Sequence, residues 1–391
     1  MKYLFILGRN FELSRAELLN FCDELYSDSE KSLFIGENLR FENPRDLPKT
    51  TEQIFLDRLG GTIRFGEIIG EFPSKKECLA DIFKIIKDTA SPDRIPKVGF
   101  SVFGGGKTLL GDFINDTKRY FQEKKQKIRV ENFGGKNLSS GQIFDRRLLR
   151  KGNEFVIWKN KNTLLLTKTS ASQNLRNYVL RDRKKSFRDT KMGMLPPKLA
   201  QILINLVPPS FNETIHDPFC GSGTINTEAA VVGYKTVGSD INASFVSGAQ
   251  QNFLEMSEKF RFPEKNGSFS VKDATQVNWK NKSGVICTEG FLGTNFETKP
   301  SQAEINDNSQ KILKLWEQIF QNLHGSDIKS VSLCLPCWNN HGKNISISSQ
   351  LFKIIKPFGY KPLSLFNKEE TFIYKREKTF VAREVCVLVQ N

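Results

Sequence analysis

The pattern of hydrophobic and polar residues over the first 175 positions predicts a mixed α and β region. Apolar residues predominate over residues 2–8 and 62–72, which predicts two strands. Apolar positions recur every three or four residues over 14–25 and 74–88, which predicts two helices, and each begins with a serine, a preferred N-cap. Strands over 97–105 and 127–133 and a helix over 109–126 complete this α+β region.

Charged residues dominate residues 178–191, where no apolar periodicity is present. Such a segment is typical of a loop or linker, and it marks the main domain boundary. From residue 196 onward the pattern changes, because a helix over 199–206 is followed by a strand over 214–216 and then by strands that alternate with helices. This order predicts a doubly wound α/β domain.

The segment from Asp217 to Thr224 reads D-P-F-C-G-S-G-T and stands between a predicted strand and a predicted helix over 225–232. Gly221 and Gly223 let the backbone approach a ligand closely, and the N-terminus of the helix favours an anionic group. The third glycine of a dinucleotide-binding turn is absent, so a compact carboxylate-bearing ligand fits better than a pyrophosphate. S-adenosylmethionine meets that description, with the whole turn as its binding residues: Asp217, Pro218, Phe219, Cys220, Gly221, Ser222, Gly223 and Thr224.

Two acidic residues follow later predicted strands of the same domain. Asp240, followed by Ile241, ends the strand after the turn, where an acid accepts hydrogen bonds from the ribose hydroxyls of a nucleotide. Asp273, followed by Ala274, stands at the next strand end, where the adenine edge is expected. The alternative is that both acids cap the elements that follow them.

The formal charge of +15 changes the picture, since 58 lysines and arginines against 43 acids indicate a polyanionic partner. Nucleic acid is the natural candidate, and the basic segment 178–191 would contact RNA held between the two domains. A solubilising charge or a biased genome composition is the alternative explanation.

Seven scattered cysteines and the lack of a signal-like start favour a reducing, cytoplasmic location. No stretch approaches the roughly 20 apolar residues needed to span a bilayer, so a soluble protein is expected. The histidines at 216, 324 and 341 lack metal-ligand spacing, and we predict no metal.

The sequence resembles the class I methyltransferases that modify exocyclic amines, and within them the tRNA guanosine-10 N2-methyltransferases with an N-terminal THUMP domain. The resemblance is carried by the D-P-F-C-G-S-G-T turn, by R-D-T-K-M-G-M-L-P-P-K-L-A from Arg188, and by the opening and central segments YLFILGRNFELSRAEL, KVGFSVFGG and LSSGQIFDRRLLRKGNEF. It implies a Rossmann-like class I domain, S-adenosylmethionine as cofactor, tRNA or another structured RNA as partner, and the need for a small activator subunit as an open question. It also implies that Pro196 and Lys198 line the cofactor.

The resemblance divides the chain into four regions. These are a ferredoxin-like α+β region over 1–60, a THUMP-like RNA-binding domain over 61–175, a basic linker over 176–194 and the methyltransferase domain over 195–391.

One motif departs from the family pattern. Amine methyltransferases of this type carry D-P-P-Y or N-P-P-Y after the fourth strand, where this chain has Glu289 in place of the Asp, no proline, and Phe291 shifted by one position from the usual Tyr. An aromatic amine is a weak nucleophile, so the site must offer it a fixed acceptor and hold the base in place. Glu289 is expected to be the acceptor and Phe291 to stack on a flipped base, with Thr288 beside them.

The loss of both prolines leaves alternatives open. The chain could be a catalytically silent RNA-binding paralogue, or it could methylate an exocyclic amine in rRNA or DNA.

Overall fold

Two β-sheets, one in each half of the chain, organise the protein. The computed structural model describes residues 1–26, 31–41, 50–132, 134–188, 194–208, 210, 212–294, 296, 298–340, 343–365, 370–375 and 379–391. The strands are β1 Lys2–Leu7, β2 Asp23–Tyr26, β3 Leu33–Glu37, β4 Thr62–Phe72, β5 Lys97–Phe103, β6 Arg129–Val130, β7 Asn153–Asn160, β8 Thr163–Ser172, β9 Thr214–Asp217, β10 Lys235–Asp240, β11 Gly267–Val271, β12 Ser283–Thr288, β13 Asp327–Asn340, β14 Lys343–Ile345, β15 Tyr360–Pro362, β16 Thr371–Tyr374 and β17 Val381–Gln390. The helices are α1 Phe11–Leu19, α2 Thr51–Arg58, α3 Lys75–Asp88, α4 Gly106–Glu123, α5 Ser140–Asp145, α6 Leu148–Lys151, α7 Leu175–Arg183, α8 Pro197–Leu206, α9 Thr224–Val231, α10 Ala243–Phe260, α11 Gln302–Leu323 and α12 Ser348–Ile355.

The N-terminal sheet runs continuously through both regions expected before residue 175. Its strand order is β2-β3-β1-β4-β8-β7-β5-β6. Strand β4 pairs with β1 on one side and with β8 on the other, both antiparallel. The boundary predicted between residues 60 and 61 therefore lies directly before the strand that joins the two regions into one sheet.

Most elements of this half agree with the hydrophobic pattern, and two differ. Helix α3 begins after Ser74, whose hydroxyl accepts a hydrogen bond from the Glu77 amide as an N-cap does. Helix α1 instead begins at Phe11 and ends at Leu19, so Ser14 lies inside it with its hydroxyl donating to the Asn10 carbonyl, and residues 23–25 of the predicted helix belong to strand β2. The strand expected over 127–133 is reduced to β6.

Side-chain amides replace the expected partner strand along β5. Asn132 Oδ1 accepts from the Phe100 amide and Asn137 Oδ1 accepts from the Val102 amide, each at 2.8 Å. The side-chain NH2 group of Asn132 also donates to the Phe100 carbonyl, and that of Asn137 donates to the Val102 carbonyl. These bonds satisfy the edge of β5 without a ladder, which is why regular pairing stops after Val130.

The prediction that residues 178–191 form a loop is wrong over its first part, because helix α7 extends to Arg183. Asn174 caps this helix by accepting from the amides of Arg176 and Asn177. Its charged residues do not all face solvent, since the buried Arg181 forms an ion pair with the buried Glu228 at 2.7 Å. Residues 189–193 lie outside the described part of the chain.

The C-terminal sheet has the order β11-β10-β9-β12-β13-β17-β15, with β14 beside β13 and β16 beside β17. Strands β9 to β13 are parallel, whereas β17 is antiparallel to its neighbours. Helices α11 and α12 pack on one face and α8 and α9 on the other. Because the chain order reverses between β9 and β12, the carboxyl ends of these two strands form the crevice where such sheets bind ligands.

A buried polar network joins the two halves. Both carboxylate oxygens of Glu17 accept from the amides of Gly60 and Gly61 at 2.8 Å, and Oε1 also accepts from the Asn205 side chain at 2.7 Å. Arg58 donates to Asn205 and to the Tyr234 hydroxyl. Buried polar groups with their partners in place fix one relative arrangement, so the two halves of the chain hold a defined orientation.

Within the described ranges, the helices are all too short or too polar to cross a membrane.

Candidate active site

The glycine turn, residues 217–224, connects the end of β9 to the start of α9. Gly221 and Gly223 have φ values of 49° and 75°, a conformation that favours glycine. A Cβ at Gly223 would lie 3.0 Å from the Cβ of Ala249 in α10, whereas one at Gly221 would meet no atom within 4 Å. Gly223 therefore allows close helix packing, and Gly221 borders open space that a ligand can enter.

Asp240, at the end of β10, supports this turn from the neighbouring strand. Its Oδ2 accepts from the Gly221 amide and its Oδ1 from the Asn242 amide, both at 3.0 Å. The N-cap of α10 is Asn242, whose side chain accepts from the Ser244 amide at 2.9 Å. The alternative that Asp240 caps this helix is therefore wrong, and its role toward a ribose stays a prediction.

Asp273 has the capping role that the alternative assigned to it. Its Oδ1 accepts from the amide and the hydroxyl of Thr275, at 2.8 and 2.7 Å, and so caps a single turn of 3₁₀-helix over Ala274–Gln276. Ala274 is buried, whereas Ile241 is 72% exposed. A planar ligand lying on Ile241 would remove that surface from water.

Asp217 and Thr288 connect the ends of β9 and β12 across the crevice. The Thr288 hydroxyl donates to Asp217 Oδ1 at 2.7 Å and accepts from the Gly290 amide at 3.1 Å. Asp217 Oδ1 also accepts from the Phe219 amide at 3.1 Å. Burial raises the pKa of Asp217 to about 7, against the lowering effect of these hydrogen bonds. The glycine turn and the loop after β12 are thus held to each other.

Glu289 and Phe291 follow at the carboxyl end of β12. Glu289 Oε1 accepts from Nε of Arg383, a residue of β17, and the two side chains are 20% and 8% exposed. Phe291 is 43% exposed, so its ring is accessible to a planar partner. Gly290 between them has a φ of 71°, and a Cβ there would lie 2.9 Å from the Trp316 ring. The crevice thus brings together a carboxylate, an accessible aromatic ring and the glycine turn.

The sequence is similar to those of known proteins. A probable tRNA (guanine(10)-N2)-dimethyltransferase of Methanothermococcus thermolithotrophicus is 31% identical over 120 residues, which are 30% of this chain and 74% of that protein. The chain belongs to this family of class I RNA methyltransferases.

Further matches agree with this family membership. The model of an RMKL-like methyltransferase domain matches residues 184–315. The tRNA (guanine(10)-N2)-dimethyltransferase of Methanothermobacter thermautotrophicus is 27% identical over 145 residues, and the match spans only 38% of its length and 37% of this chain. The crystal structure of TrmN from Thermus thermophilus aligns over the whole of both chains with a TM-score of 0.52 at 14% identity, which supports the fold alone.

Pro196 and Lys198 begin helix α8, as N-cap and second residue. The Lys198 ammonium donates to Gln173 Oε1 at 2.7 Å and lies 5.0 Å from the centre of the Tyr178 ring. These contacts are with the N-terminal half and α7, so the side chain is engaged at the domain interface. That either residue lines the cofactor stays a prediction.

Lys185 is a site residue that the sequence pattern does not reveal. It follows α7 and is 6% exposed, and its ammonium donates to the Thr224 hydroxyl at 2.7 Å and lies 3.5 Å from that of Ser222. Burial lowers the pKa of Lys185 to about 8. Phe187 fixes the segment, because its amide and carbonyl both bond to Asn252 of α10. Part of the basic linker therefore faces the glycine turn.

The histidines show no sign of a metal centre where they are described. His216 is buried with Nε2 3.1 Å from the Ser283 carbonyl, and burial lowers its pKa to about 4. No group of three or more potential ligands is present among the residues that can be described. His341 lies outside them.

Proposed function

We propose that the protein is an S-adenosylmethionine-dependent tRNA methyltransferase that modifies the N2 amine of a guanosine, of the guanosine-10 type. The observation that carries this proposal is the placement of Glu289 and Phe291 on a loop tied to the glycine turn through the Thr288 to Asp217 hydrogen bond. The function of the two similar proteins, tRNA (guanine(10)-N2)-dimethyltransferases, supports the choice of guanosine in tRNA.

The residues present fit S-adenosylmethionine. The open space at Gly221 admits the ligand, and the exposed Ile241 beside Asp240 offers an apolar surface for the adenosine. Lys185, with the amides at the start of α9, supplies positive charge for the carboxylate of the methionine moiety. When bound, this cofactor supplies an electrophilic methyl group.

The chain's own residues act on the base. Phe291 stacks on a guanine turned out of the RNA, and Glu289 accepts a hydrogen bond from its 2-amino group. The nitrogen gains the methyl group and loses one proton, which Glu289 or solvent accepts. Proximity and orientation supply most of the rate, so a strong general base is not needed.

The chemistry of Glu289 favours guanine among bases with exocyclic amines. A carboxylate only accepts hydrogen bonds. In guanine the 2-amino group adjoins the N1–H donor, so both groups can bond to one carboxylate. In adenine and cytosine the amine adjoins a ring nitrogen that is itself an acceptor, which a carboxylate repels.

Basic surface on the N-terminal half supports RNA as the partner. A cavity of about 250 Å³ between the end of α3, β5 and α6 is bordered by five cationic side chains: Arg94, Lys97, Arg150, Lys151 and Lys168. Phosphate groups of RNA are the natural ligands of such a surface. We propose that this half holds the tRNA, in the cytoplasm, while the crevice receives the target base.

Transfer of a labelled methyl group to unmodified bulk tRNA tests the proposal. The wild-type protein should label tRNA and yield N2-methylguanosine, and Glu289→Ala should abolish transfer while retaining S-adenosylhomocysteine binding. Binding of cofactor and tRNA by the wild type without transfer would support the silent RNA-binding paralogue. Labelling of duplex DNA in preference to tRNA would support the DNA enzyme.

A further inference from the structure

The loop that carries Glu289 lacks the two prolines that stiffen the corresponding loop of related enzymes, so another feature must hold the acceptor in place. Glutamate has one more rotatable bond than aspartate, and Gly290 adds backbone freedom next to it. The structure contains a contact that offsets both effects, the ion pair between Glu289 and Arg383.

Arg383 is itself held firmly. It lies within β17, opposite Pro336 of β13 and Tyr374 of β16, and it is 6% exposed. The next residue, Glu384, points to the other face of the sheet, where it accepts from the hydroxyls of Ser348 and Thr371. Arg383 is therefore anchored between two paired strands, with its side chain on the loop that carries Glu289.

The ion pair uses only one oxygen of Glu289. Nε of Arg383 contacts Oε1, and Oε2 has no hydrogen-bond partner within the ranges that the structure describes. A carboxylate held through one oxygen presents the other in a fixed direction.

Other ionisable groups lie close to the ion pair between Glu289 and Arg383. Asp217 of β9 lies near enough to repel Glu289, and Cys334 of β13 and Tyr374 of β16 lie near the pair. Arg383 is thus the cation paired with Glu289 where a second carboxyl, that of Asp217, lies near, and its removal would leave Glu289 without its ion-pair partner.

We propose that Arg383 is a positioning residue for methyl transfer, which orients Glu289 so that Oε2 accepts the amine hydrogen of the base. This inference rests on the function proposed above. Arg383 acts through Glu289 and replaces the rigidity that the two prolines give to related loops.

The test compares Arg383→Met with the wild type in single-turnover and steady-state transfer to unmodified tRNA. Arg383→Met should lower kcat by about 10²-fold, the cost of misplacing a reacting group, with KM for tRNA and the Kd of S-adenosylhomocysteine nearly unchanged. Arg383→Lys should recover much of the loss because it keeps the charge. Lys375→Met, which removes an exposed cation after β16, is the matched control and should behave like the wild type.

A double variant separates positioning from a general structural role. If Arg383 acts through Glu289, Arg383→Met should cost little more in the Glu289→Gln background than Glu289→Gln costs alone. Should Arg383→Met fail to fold, Arg383→Gln provides the neutral substitution, with its melting temperature as a check. If the fold-losses in kcat of the two single substitutions multiply in the double variant, the inference is overturned while the proposed function stands. The same holds if kcat is unchanged in Arg383→Met. A wild type that transfers no methyl group would overturn both.

Discussion

The hydroxyl of Thr288 donates a 2.7 Å hydrogen bond to Asp217, across the crevice between the two strands at which the sheet order reverses. Asp217 begins the glycine turn, and Thr288 begins the loop that carries Glu289. Because the same hydroxyl accepts from the Gly290 amide, a single oxygen sets the position of the acceptor loop relative to the turn.

Thr288→Val should therefore affect both stability and catalysis. The substitution keeps the shape but leaves the buried Asp217 and the Gly290 amide each one partner short, which should cost about 1–3 kcal/mol of unfolding free energy. Urea unfolding and transfer assays would measure the two effects. Thr288→Ser, which keeps the hydroxyl, should be close to the wild type, as should Thr294→Val at an exposed position of the same loop. An equal loss in all three variants would contradict this role.

The buried carboxyl of Asp217 should make stability depend on pH. Because its pKa is raised to about 7 from 3.8, the folded protein holds a proton that the unfolded chain releases between these values. This contribution is present in full below about pH 4 and is lost as the pH rises through about 7, an effect on the order of 4 kcal/mol at most.

Asp217→Asn removes this titration and keeps the oxygen that accepts both hydrogen bonds. The variant should match the wild type in melting temperature near pH 4 and exceed it by an amount that grows until about pH 7. Glu17, whose pKa burial also raises to about 7, titrates in both proteins and cancels in the comparison. Parallel melting profiles across this range would exclude Asp217 as the titrating group.

Substitution of Lys185 should change the affinity for the cofactor. Loss of its ammonium in Lys185→Met should weaken S-adenosylhomocysteine binding by about 10- to 100-fold, since a charge-assisted hydrogen bond to the carboxylate disappears. Binding of 5′-methylthioadenosine, which lacks the amino-acid moiety, should be unaffected in calorimetry. Lys184→Met, at the exposed neighbouring position, is the control. Equal weakening for both ligands would show that Lys185 only supports the fold of the turn.

Local patterns of the sequence predict much of the fold. The strand β4, the capped helix α3 and the turn from Asp217 to Thr224 each follow from contiguous residues, because periodicity, N-caps and glycines act over short distances. Membership of the RNA methyltransferase family also agrees with the expectation from the turn and the segment before it.

Partners distant in sequence set the features that local patterns do not predict. Helix α7 has little apolar periodicity and is stabilised by Arg181 and Glu228, which are 47 residues apart. Arg383 lies 94 residues from Glu289 and in an ordinary strand, so no local signal connects them. Lys185 stands in a run of charges that is typical of a solvated linker, and only the tertiary structure shows that it faces the glycine turn.

Methylation of a guanine N2 amine in tRNA can be tested with two tRNA transcripts that differ only in the 2-amino group of one base. One carries guanosine at position 10 and the other inosine, which lacks only the 2-amino group. We expect transfer to the guanosine transcript, with N2-methylguanosine as the product, and none to the inosine transcript. Equal transfer to both transcripts would contradict it.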